Sequence, residues 1–194
     1  MNEMAAARNR SGHDGGDAAP IACHLHLRQA TRADHDAVDA AFGAFGFETA
    51  DAYRRFLIAH ARILPIAERL IDPASLVPGW QPRADRLAAD LADLGAAMPA
   101  PIDLPPPAGT AERWGALYVI EGSRLGGVML ARSVPEGLPA AYLSAAHPSG
   151  SWKHLLATLD AADDGPAWRA AATRGAHAMF GAYARAALMD DLSG

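Results

Sequence analysis

The sequence predicts an all-α protein, a single bundle of about six to eight helices without a β-sheet. Apolar residues recur at helical spacing through several long segments, and loops rich in proline and glycine separate these segments. No segment shows the sustained alternation of polar and apolar residues that is typical of half-buried strands. The chain has 194 residues, of which 51% are hydrophobic, and this favours one domain with a substantial core over two small domains.

The first helix is expected to follow a disordered tail. Residues 1–22 are rich in glycine, aspartate and alanine and have no apolar period, so we predict a disordered N-terminal tail in front of a helical domain over 23–194. A helical pattern then runs from Leu25 to about Phe45, with Asp34 and Asp36 on its polar face.

Capping residues and a proline mark the next two helices. The second helix begins behind Thr49 as its N-cap, and Pro65 inside it predicts a kink because proline removes a backbone donor and clashes with the preceding turn. Residues 72–82 are predicted to form a loop because of their proline and glycine content. Residues 83–94 then have the pattern of an amphipathic helix that ends at Gly95.

The second half of the chain is predicted to hold three further helices. A rigid, proline-rich connector over 98–109 leads into a long apolar helical segment from Ala111 to about Val134. After a loop over 135–150, helices are expected from Ser151 to about Leu159 and from Pro166 to Met189. The last of these has its proline in the first turn, where the missing N–H costs nothing.

Charge and composition exclude several functional classes. The formal net charge is -5 and charged residues make up only 20% of the chain, so no basic field would attract a nucleic acid. No apolar run approaches the roughly 18 to 20 residues that span a bilayer, and the N-terminus lacks the apolar core of a signal peptide, so we expect no membrane segment and a cytoplasmic location. Cys23 is the only cysteine, which excludes an internal disulfide and thiolate metal clusters.

One face of the first helix carries an unusual set of polar residues at i, i+4, i+7 and i+11, namely Arg28, Arg32, His35 and Asp39. Arg28 lies about 10 Å from His35 along the helix axis, so His35 can hold an iron while the arginines reach the carboxylate edge of a porphyrin. Asp39 can accept the other imidazole proton and so orient a metal-binding histidine. A solvated face with one histidine on it would show the same spacing.

The second unusual segment is WGALYVIEGSRLGGVMLA, residues 114–131, in which each interior helix glycine costs roughly 0.5 to 1 kcal/mol relative to alanine. Tyr118, Gly122 and Gly126 recur every four residues and form one stripe, on which the backbone can approach a flat ligand and the helix can bend. Close packing against another helix through small residues would explain the glycines as well.

The other histidines are interpreted without a functional role. His60 lies on the apolar face of the second helix, which is typical of a core histidine rather than a ligand. His24 and His26 stand beside Cys23 with too few partners for a metal site. Four more histidines are expected at the surface: His13, His147, His154 and His177. The sequence also lacks the Glu-x-x-His pairs of a ferritin-like di-iron site, a P-loop, a dinucleotide fingerprint and a Gly-x-Ser-x-Gly elbow.

The two unusual segments together resemble the heme oxygenase family, especially its bacterial, phytochrome-associated members. LRQATRADH ends at His35, YVIEGSRLGG begins at Tyr118 about 80 residues later, and both order and spacing agree with that family. The resemblance covers most of residues 25–190. It implies a single-domain, heme oxygenase-like helical bundle with heme between the first helix and the glycine-rich helix.

The resemblance assigns roles to the residues around the heme iron and the propionates. The histidine that ends the first motif is the proximal heme ligand of the family, and it falls on His35. The family's basic residues that meet the propionates fall on Arg28 and Arg32. A tyrosine near a propionate falls on Tyr118, and a propionate-binding lysine falls on Lys153, the only lysine of the chain.

On the oxygen side of the heme, the family's distal glycines fall on Gly122 and Gly126. Phe180, in the last helix, matches an aromatic residue that lines the pocket. Mammalian members carry an aspartate just after the first distal glycine, whereas this chain has Ser123, as many bacterial members do. The departure concerns the distal water network and not the fold.

The resemblance further implies that the chain is an enzyme that uses heme b as substrate and cofactor. It would consume O2 and electrons from a ferredoxin-type or other external reductant, release biliverdin, CO and ferrous iron, and pass biliverdin to a bacteriophytochrome. Two alternatives stay open, because one fold hosts several activities. One is a non-catalytic heme or tetrapyrrole carrier. The other is a thiamin-related hydrolase, which needs a nucleophilic cysteine in the central pocket, whereas Cys23 precedes the first helix.

Overall fold

Helices account for the regular structure of residues 21–189, the part of the chain that this computed structural model describes, and no β-strand occurs there. The all-α prediction is therefore confirmed. Within this range nine α-helices and one short 3-10 helix, Ala131–Ser133, follow one another: α1 (Cys23–Ala30), α2 (Arg32–Gly43), α3 (Ala50–Ala61), α4 (Leu64–Ile71), α5 (Pro73–Leu76), α6 (Ala84–Asp93), α7 (Thr110–Leu130), α8 (Ser151–Ala161) and α9 (Pro166–Ala187). The predicted disordered tail falls almost entirely on residues 1–20, which lie outside the described residues.

The predicted first helix is two helices, because the chain turns at Thr31. Thr31 has φ -104° and ψ 13°, and its hydroxyl donates to the carbonyl of Leu27 at 2.8 Å. A threonine that bonds back to the carbonyl four residues earlier competes with the regular ladder and bends a helix. The turn falls between Arg28 on α1 and Arg32 on α2, so the polar stripe predicted for one helix spans two.

The predicted second helix begins as expected and then breaks rather than kinks. Thr49 is the N-cap of α3, and its hydroxyl accepts a hydrogen bond from the backbone N–H of Ala52 at 3.1 Å. The helix ends at Ala61, and Pro65 lies in the first turn of α4, where its missing N–H is not needed. The prediction of a loop over 72–82 is wrong at its start, where Pro73–Leu76 form the short helix α5.

Helices α6 to α9 lie close to their predicted positions. Gly95 follows α6 with φ +70°, a left-handed conformation that favours glycine after a helix. Helix α7 begins at Thr110 and passes into the 3-10 turn, in agreement with the expected helix from Ala111 to about Val134. Between residues 21 and 189 no helix is both long and apolar enough to cross a membrane.

Two glycines allow α7 and α9 to cross in backbone contact. A Cβ added at Gly115 would overlap the backbone carbonyl of Ala172, and a Cβ added at Gly175 would overlap the backbone carbonyl of Glu112. Any other residue at either position would push the helices apart. Helix α2 packs on α9 as well, so α9 supports both α2 and α7. The candidate functional site lies between α2 and α7.

Candidate functional site

A cavity of about 440 Å³ lies between α2, α7 and α9. Helix α2 contributes His35 and Asp39 to its wall, α7 contributes the stripe that begins at Tyr118, and α9 contributes Phe180. Most of the remaining wall is apolar or aromatic, from Val38, Phe42, Phe56, Val119, Leu125, Leu130, Leu143 and Trp152. The size and lining are typical of a site for a small organic ligand.

A second cavity, of about 650 Å³, adjoins the first and shares His35, Tyr118, Trp152 and Phe180 with it. Its wall also includes Arg28, Arg32, Thr31, His24 and Asp36. The two cavities therefore form one cleft that is apolar in its interior and carries charged residues at one end. A flat apolar ligand with an anionic edge matches this distribution of charge.

The imidazole of His35 is held by its neighbours on α2 and α9. Its Nδ1 lies 3.2 Å from Oδ2 of Asp39, one helical turn further on, and its ring meets the ring of Phe180 edge-on with 6.0 Å between centroids. The side chain of His35 is 60% exposed, so the ring stands in the cleft rather than in the core. An imidazole with Nδ1 against a carboxylate presents Nε2 to a metal, which is the usual arrangement of a supported histidine ligand.

Gly122 and Gly126 face open space. A Cβ added at either glycine would meet nothing within 4 Å, and both residues line the first cavity. Close helix packing therefore explains Gly115, seven residues before Gly122, but not these two glycines. Ser123 lies beside them, where its Oγ donates to the carbonyl of Ile120 at 2.7 Å.

Behind Ser123 lies a buried arginine that the sequence did not single out. Arg83 is only 2% exposed, and its Nη2 donates to the carbonyl of Ile120 at 2.6 Å and to Oγ of Ser123 at 3.1 Å. Its backbone N–H donates to Oε1 of Glu68 at 2.8 Å. Burial raises the pKa of Glu68, although hydrogen bonds from the backbone N–H groups of Arg83 and Ala84 oppose the change. The guanidinium of Arg83 also lies over the ring of Tyr142, at 5.3 Å from its centroid.

Glu121 is the centre of a second buried polar group, on α7 next to Gly122. Its Oε1 accepts from Nε1 of Trp80 at 2.9 Å, and its Oε2 lies 2.8 Å from Nε2 of His147 and 3.0 Å from Nε of Arg124. Burial acts to raise the pKa of Glu121, but the bond from His147, the charge of Arg124 and the bond from Trp80 outweigh it, and the pKa is lowered. The prediction of a surface position for His147 is wrong, because this side chain is only 9% exposed.

His60 is a core histidine, as predicted, and it also contributes to the wall of the first cavity. Its Nδ1 lies 3.0 Å from the carbonyl oxygen of Phe56, which can only accept, so Nδ1 carries the proton. Its ring packs against the rings of Phe42 and Phe56 at 4.4 and 4.3 Å between centroids. Burial lowers its pKa to about 4, so the ring is neutral near pH 7.

Lys153 and Cys23 lie apart from the cleft. Lys153 is exposed on α8 and lines neither of the two cavities, although its neighbour Trp152 lines both. Cys23 is buried at the start of α1, and burial together with Asp163 and Asp160 raises the pKa of its thiol to about 11. A protonated thiol outside the cleft does not supply the nucleophile that a thiamin-related hydrolase needs.

The remaining histidines occupy surface or half-buried positions. Nδ1 of His24 lies 2.6 Å from Oδ2 of Asp160, so this residue is paired rather than placed at the edge of a tail. Nδ1 of His177 lies 2.8 Å from Oδ2 of Asp34, and the side chain is 45% exposed, as expected. His154 is exposed, and His13 lies outside the described residues.

Comparison with known proteins assigns the family. No protein-family profile matches the chain. A heme oxygenase of Xanthomonas campestris pv. campestris (strain 8004) is 40% identical over 148 residues, which cover 70% of this chain and 88% of that protein. The chain belongs to the heme oxygenase family. The NO- and CO-bound heme oxygenase from Neisseria meningitidis superposes with a TM-score of 0.76 and 26% identity, over 87% of this chain and 91% of that one.

The family predicted from two sequence motifs is thus confirmed, together with the helical fold of heme oxygenases. The structure brings most of the predicted site residues into one cleft: Arg28, Arg32, His35, Asp39, Tyr118, Gly122, Ser123, Gly126 and Phe180. It does not bring Lys153 into that cleft. The individual roles of these residues and the phytochrome-associated subtype remain predictions.

We predict that His60 makes the protein less stable as the pH falls below neutrality. In the unfolded chain a histidine binds its proton near pH 6.5, whereas folded His60 binds it only near pH 4, so the unfolded state takes up the proton first. The stabilisation is present above the unfolded pKa and disappears toward the folded pKa. Between pH 7 and pH 5, His60 should lower the free energy of unfolding by about 2 kcal/mol.

Urea unfolding at the two pH values, for the wild type and for His60→Gln, measures this contribution. Glutamine keeps a polar group but does not titrate, so the variant should lose about 2 kcal/mol less than the wild type over this interval. Equal losses in the two proteins would mean that His60 is not the buried, neutral group described above.

Proposed function

We propose that this chain binds heme b in the cleft between α2 and α7 and degrades it oxidatively to biliverdin, CO and ferrous iron. The observation that carries the proposal is the position of His35. This histidine, supported by Asp39, lines a cavity whose other wall holds Gly122 and Gly126 facing open space. Membership of the heme oxygenase family supports the same reaction.

The residues of the cleft fit heme in three respects. The interior is apolar and aromatic, as the macrocycle requires, and one histidine with a carboxylate at Nδ1 is available to hold the iron through Nε2. Arg28 and Arg32 line the charged end, where they would bind the propionates as cationic donors. Tyr118 and Phe180 line both cavities and would pack against the ring.

Bound heme supplies the iron that activates O2 and the porphyrin carbon that is oxidised, and an external reductant supplies the electrons. The chain itself contributes position and exclusion. Gly122 and Gly126 leave room for a small molecule beside the α7 wall, because neither has a side chain and no other atom occupies that space. The apolar lining from α2, α7 and α9 keeps bulk water away from the reacting atoms.

Ser123 and Tyr183 are the groups that would hold a proton or a water in this cavity. Oγ of Ser123 donates to the carbonyl of Ile120 and accepts from Arg83, so its proton is held at a fixed position. The hydroxyl of Tyr183 is buried at the cavity wall and lies beside Ser123. Burial raises its pKa, so it stays a neutral donor. These two side chains would take the place of an acidic residue after Gly122.

The partners proposed for the chain follow from this reaction. They are heme, O2, a ferredoxin-type or other external reductant, and a bacteriophytochrome that receives biliverdin. A cytoplasmic location is part of the same proposal, and neither a nucleic acid nor a membrane is expected to take part.

Mixing the protein with hemin and recording the Soret band, then adding ascorbate or reduced ferredoxin in air, tests the proposal. His35→Ala should change the Soret band and abolish biliverdin formation, because the variant lacks the imidazole that is proposed to hold the iron. His177→Ala is the matched control, since His177 is also an exposed helical histidine beside an aspartate but lies outside both cavities. If wild-type heme absorbance persists in the presence of reductant and air, the chain is a heme carrier. If His35→Ala keeps wild-type ligation, His35 is not the ligand.

The proposed propionate contacts can be ranked by substitution. Arg28→Ala and Arg32→Ala should each weaken heme affinity about fivefold, since each removes a charged donor from the wall of the cleft. Lys153→Ala should have a smaller effect than either arginine, because Lys153 lines neither cavity. Titration of each variant with hemin gives the dissociation constants. If a triple alanine variant kept wild-type affinity and the same biliverdin isomer, none of the three residues would bind a propionate.

Alanine at Gly126 and at Gly115 should have opposite effects. Gly126→Ala relieves the helix cost of glycine, so the free energy of unfolding should rise by up to about 1 kcal/mol, while the new methyl group fills space in the cavity and lowers biliverdin yield per bound heme. Gly115→Ala should cost about 2 kcal/mol or more, because its methyl group overlaps the backbone of α9. Melting temperature and biliverdin yield are measured on the same preparations. If Gly126→Ala were destabilised but fully active, Gly126 would not be needed to leave room in the cavity beside α7.

A further inference from the structure

The glycine wall of α7 is held from behind by a single carboxylate. Glu121 directly precedes Gly122 and is 1% exposed, and its two oxygens contact side chains from two other segments of the chain. Trp80 comes from the loop between α5 and α6, at 2.9 Å from Oε1, and His147 comes from the loop between the 3-10 turn and α8, at 2.8 Å from Oε2. Glu121 therefore ties α7 to both loops at the part of the helix that lines the first cavity.

Arg124 ties α7 to the first of these loops, the one between α5 and α6, by a second route. Its Nη2 donates to Oε1 of Glu121 at 3.1 Å and to the carbonyl of Gln81 at 2.6 Å, and the residue is 4% exposed. A buried carboxylate with a buried guanidinium gains little net stability, because desolvation opposes the attraction, but it fixes geometry. The segment that this pair fixes needs such support, since Gly126 and Gly127 follow Glu121 within about two turns and glycine weakens a helix.

A second path leads from Glu121 to the side wall of the cleft. The ring of His147 lies 5.7 Å from the ring of Trp152 on α8, and that ring lies 6.0 Å from the ring of Tyr118 on α7. Trp152 and Tyr118 line both cavities. Loss of the Glu121–His147 contact would therefore loosen Trp152 as well as the α7 backbone, and both lie against the volume that the substrate occupies.

We propose that Glu121 is a positioning residue of this enzyme, which fixes the Gly122–Gly126 wall directly and the Trp152 wall through His147. By holding two walls it sets the orientation of the macrocycle in the cleft, and with it the porphyrin carbon that is oxidised. Only the effect on the orientation of the macrocycle rests on the proposed function. The coupling of α7 to the two loops is a property of the heme-free protein.

The first measurement is hydrogen exchange of the heme-free protein. Glu121→Gln removes the charge that Arg124 and His147 face, and His147→Ala removes one of the contacts while leaving the pair with Arg124. In both variants the peptide that covers residues 122–130 should exchange about threefold faster or more than in the wild type. Glu112→Gln is the matched control on the same helix, since it breaks an ion pair with Arg174 and a bond from the N–H of Ala108 in the first turn of α7, away from the cavity.

The second measurement uses the heme-loaded protein. Glu121→Gln and His147→Ala should change the Soret circular dichroism and the ratio of biliverdin isomers, and Glu112→Gln should change neither. If the contacts of Glu121 were merely structural, their loss would lower the melting temperature but leave hydrogen exchange at 122–130, the Soret dichroism and the isomer ratio as in the wild type. That result would overturn the inference. If Glu121→Gln does not fold, His147→Ala decides on the same readouts. Failure of the wild type to bind hemin would refute the proposed function, while the exchange data would still decide whether Glu121 holds α7.

Discussion

The backbone contact between α7 and α9 sets the position of the other elements around the site. At Gly115 and Gly175 the two helices meet without room for any side chain, which fixes the start of α7 on α9. Helix α2 packs on the same α9, so one helix supports the His35 wall and the glycine wall of the cleft. The width of the cleft therefore depends on helix packing outside it, and close-packed helices transmit a displacement rather than absorb it.

Charge is arranged differently on the two sides of α7. Toward the cleft the helix presents glycine and a serine hydroxyl, and the arginines that line the cleft, Arg28 and Arg32, lie at its end. Behind the helix, buried charged groups are packed together and joined by hydrogen bonds to side chains and backbone carbonyls, among them Glu121 and Arg83. Burying these charges is costly unless every one is paired, so the arrangement makes the helix position specific more than it makes the fold stable. A helix that contains glycine gains stiffness from such a backing.

Local patterns predicted most of the fold, and contacts between distant residues account for what they missed. Thr49 and Gly95 could be placed because capping depends on the residue itself and its immediate neighbours. The turn at Thr31 could not, since a hydroxyl that bonds back to a carbonyl leaves the apolar period unchanged. The burial of His147 had no local signal either, because its partner Glu121 lies 26 residues away and the sequence around His147 has the composition of an exposed loop.

Within the candidate site, the sequence identified residue types but not the purpose of each. Gly115 and Gly122 stand in one helix and look alike in the sequence, yet one is required by a neighbouring backbone and the other opens onto a cavity. Histidines differ in the same way. His60 is surrounded by aromatic rings and keeps its proton on Nδ1 against a carbonyl, so burial makes it a neutral wall residue. His35 is exposed in the cleft with Asp39 at Nδ1, so its second nitrogen is available to a metal. The chemistry of each residue is decided by its partners, and those partners come from packing.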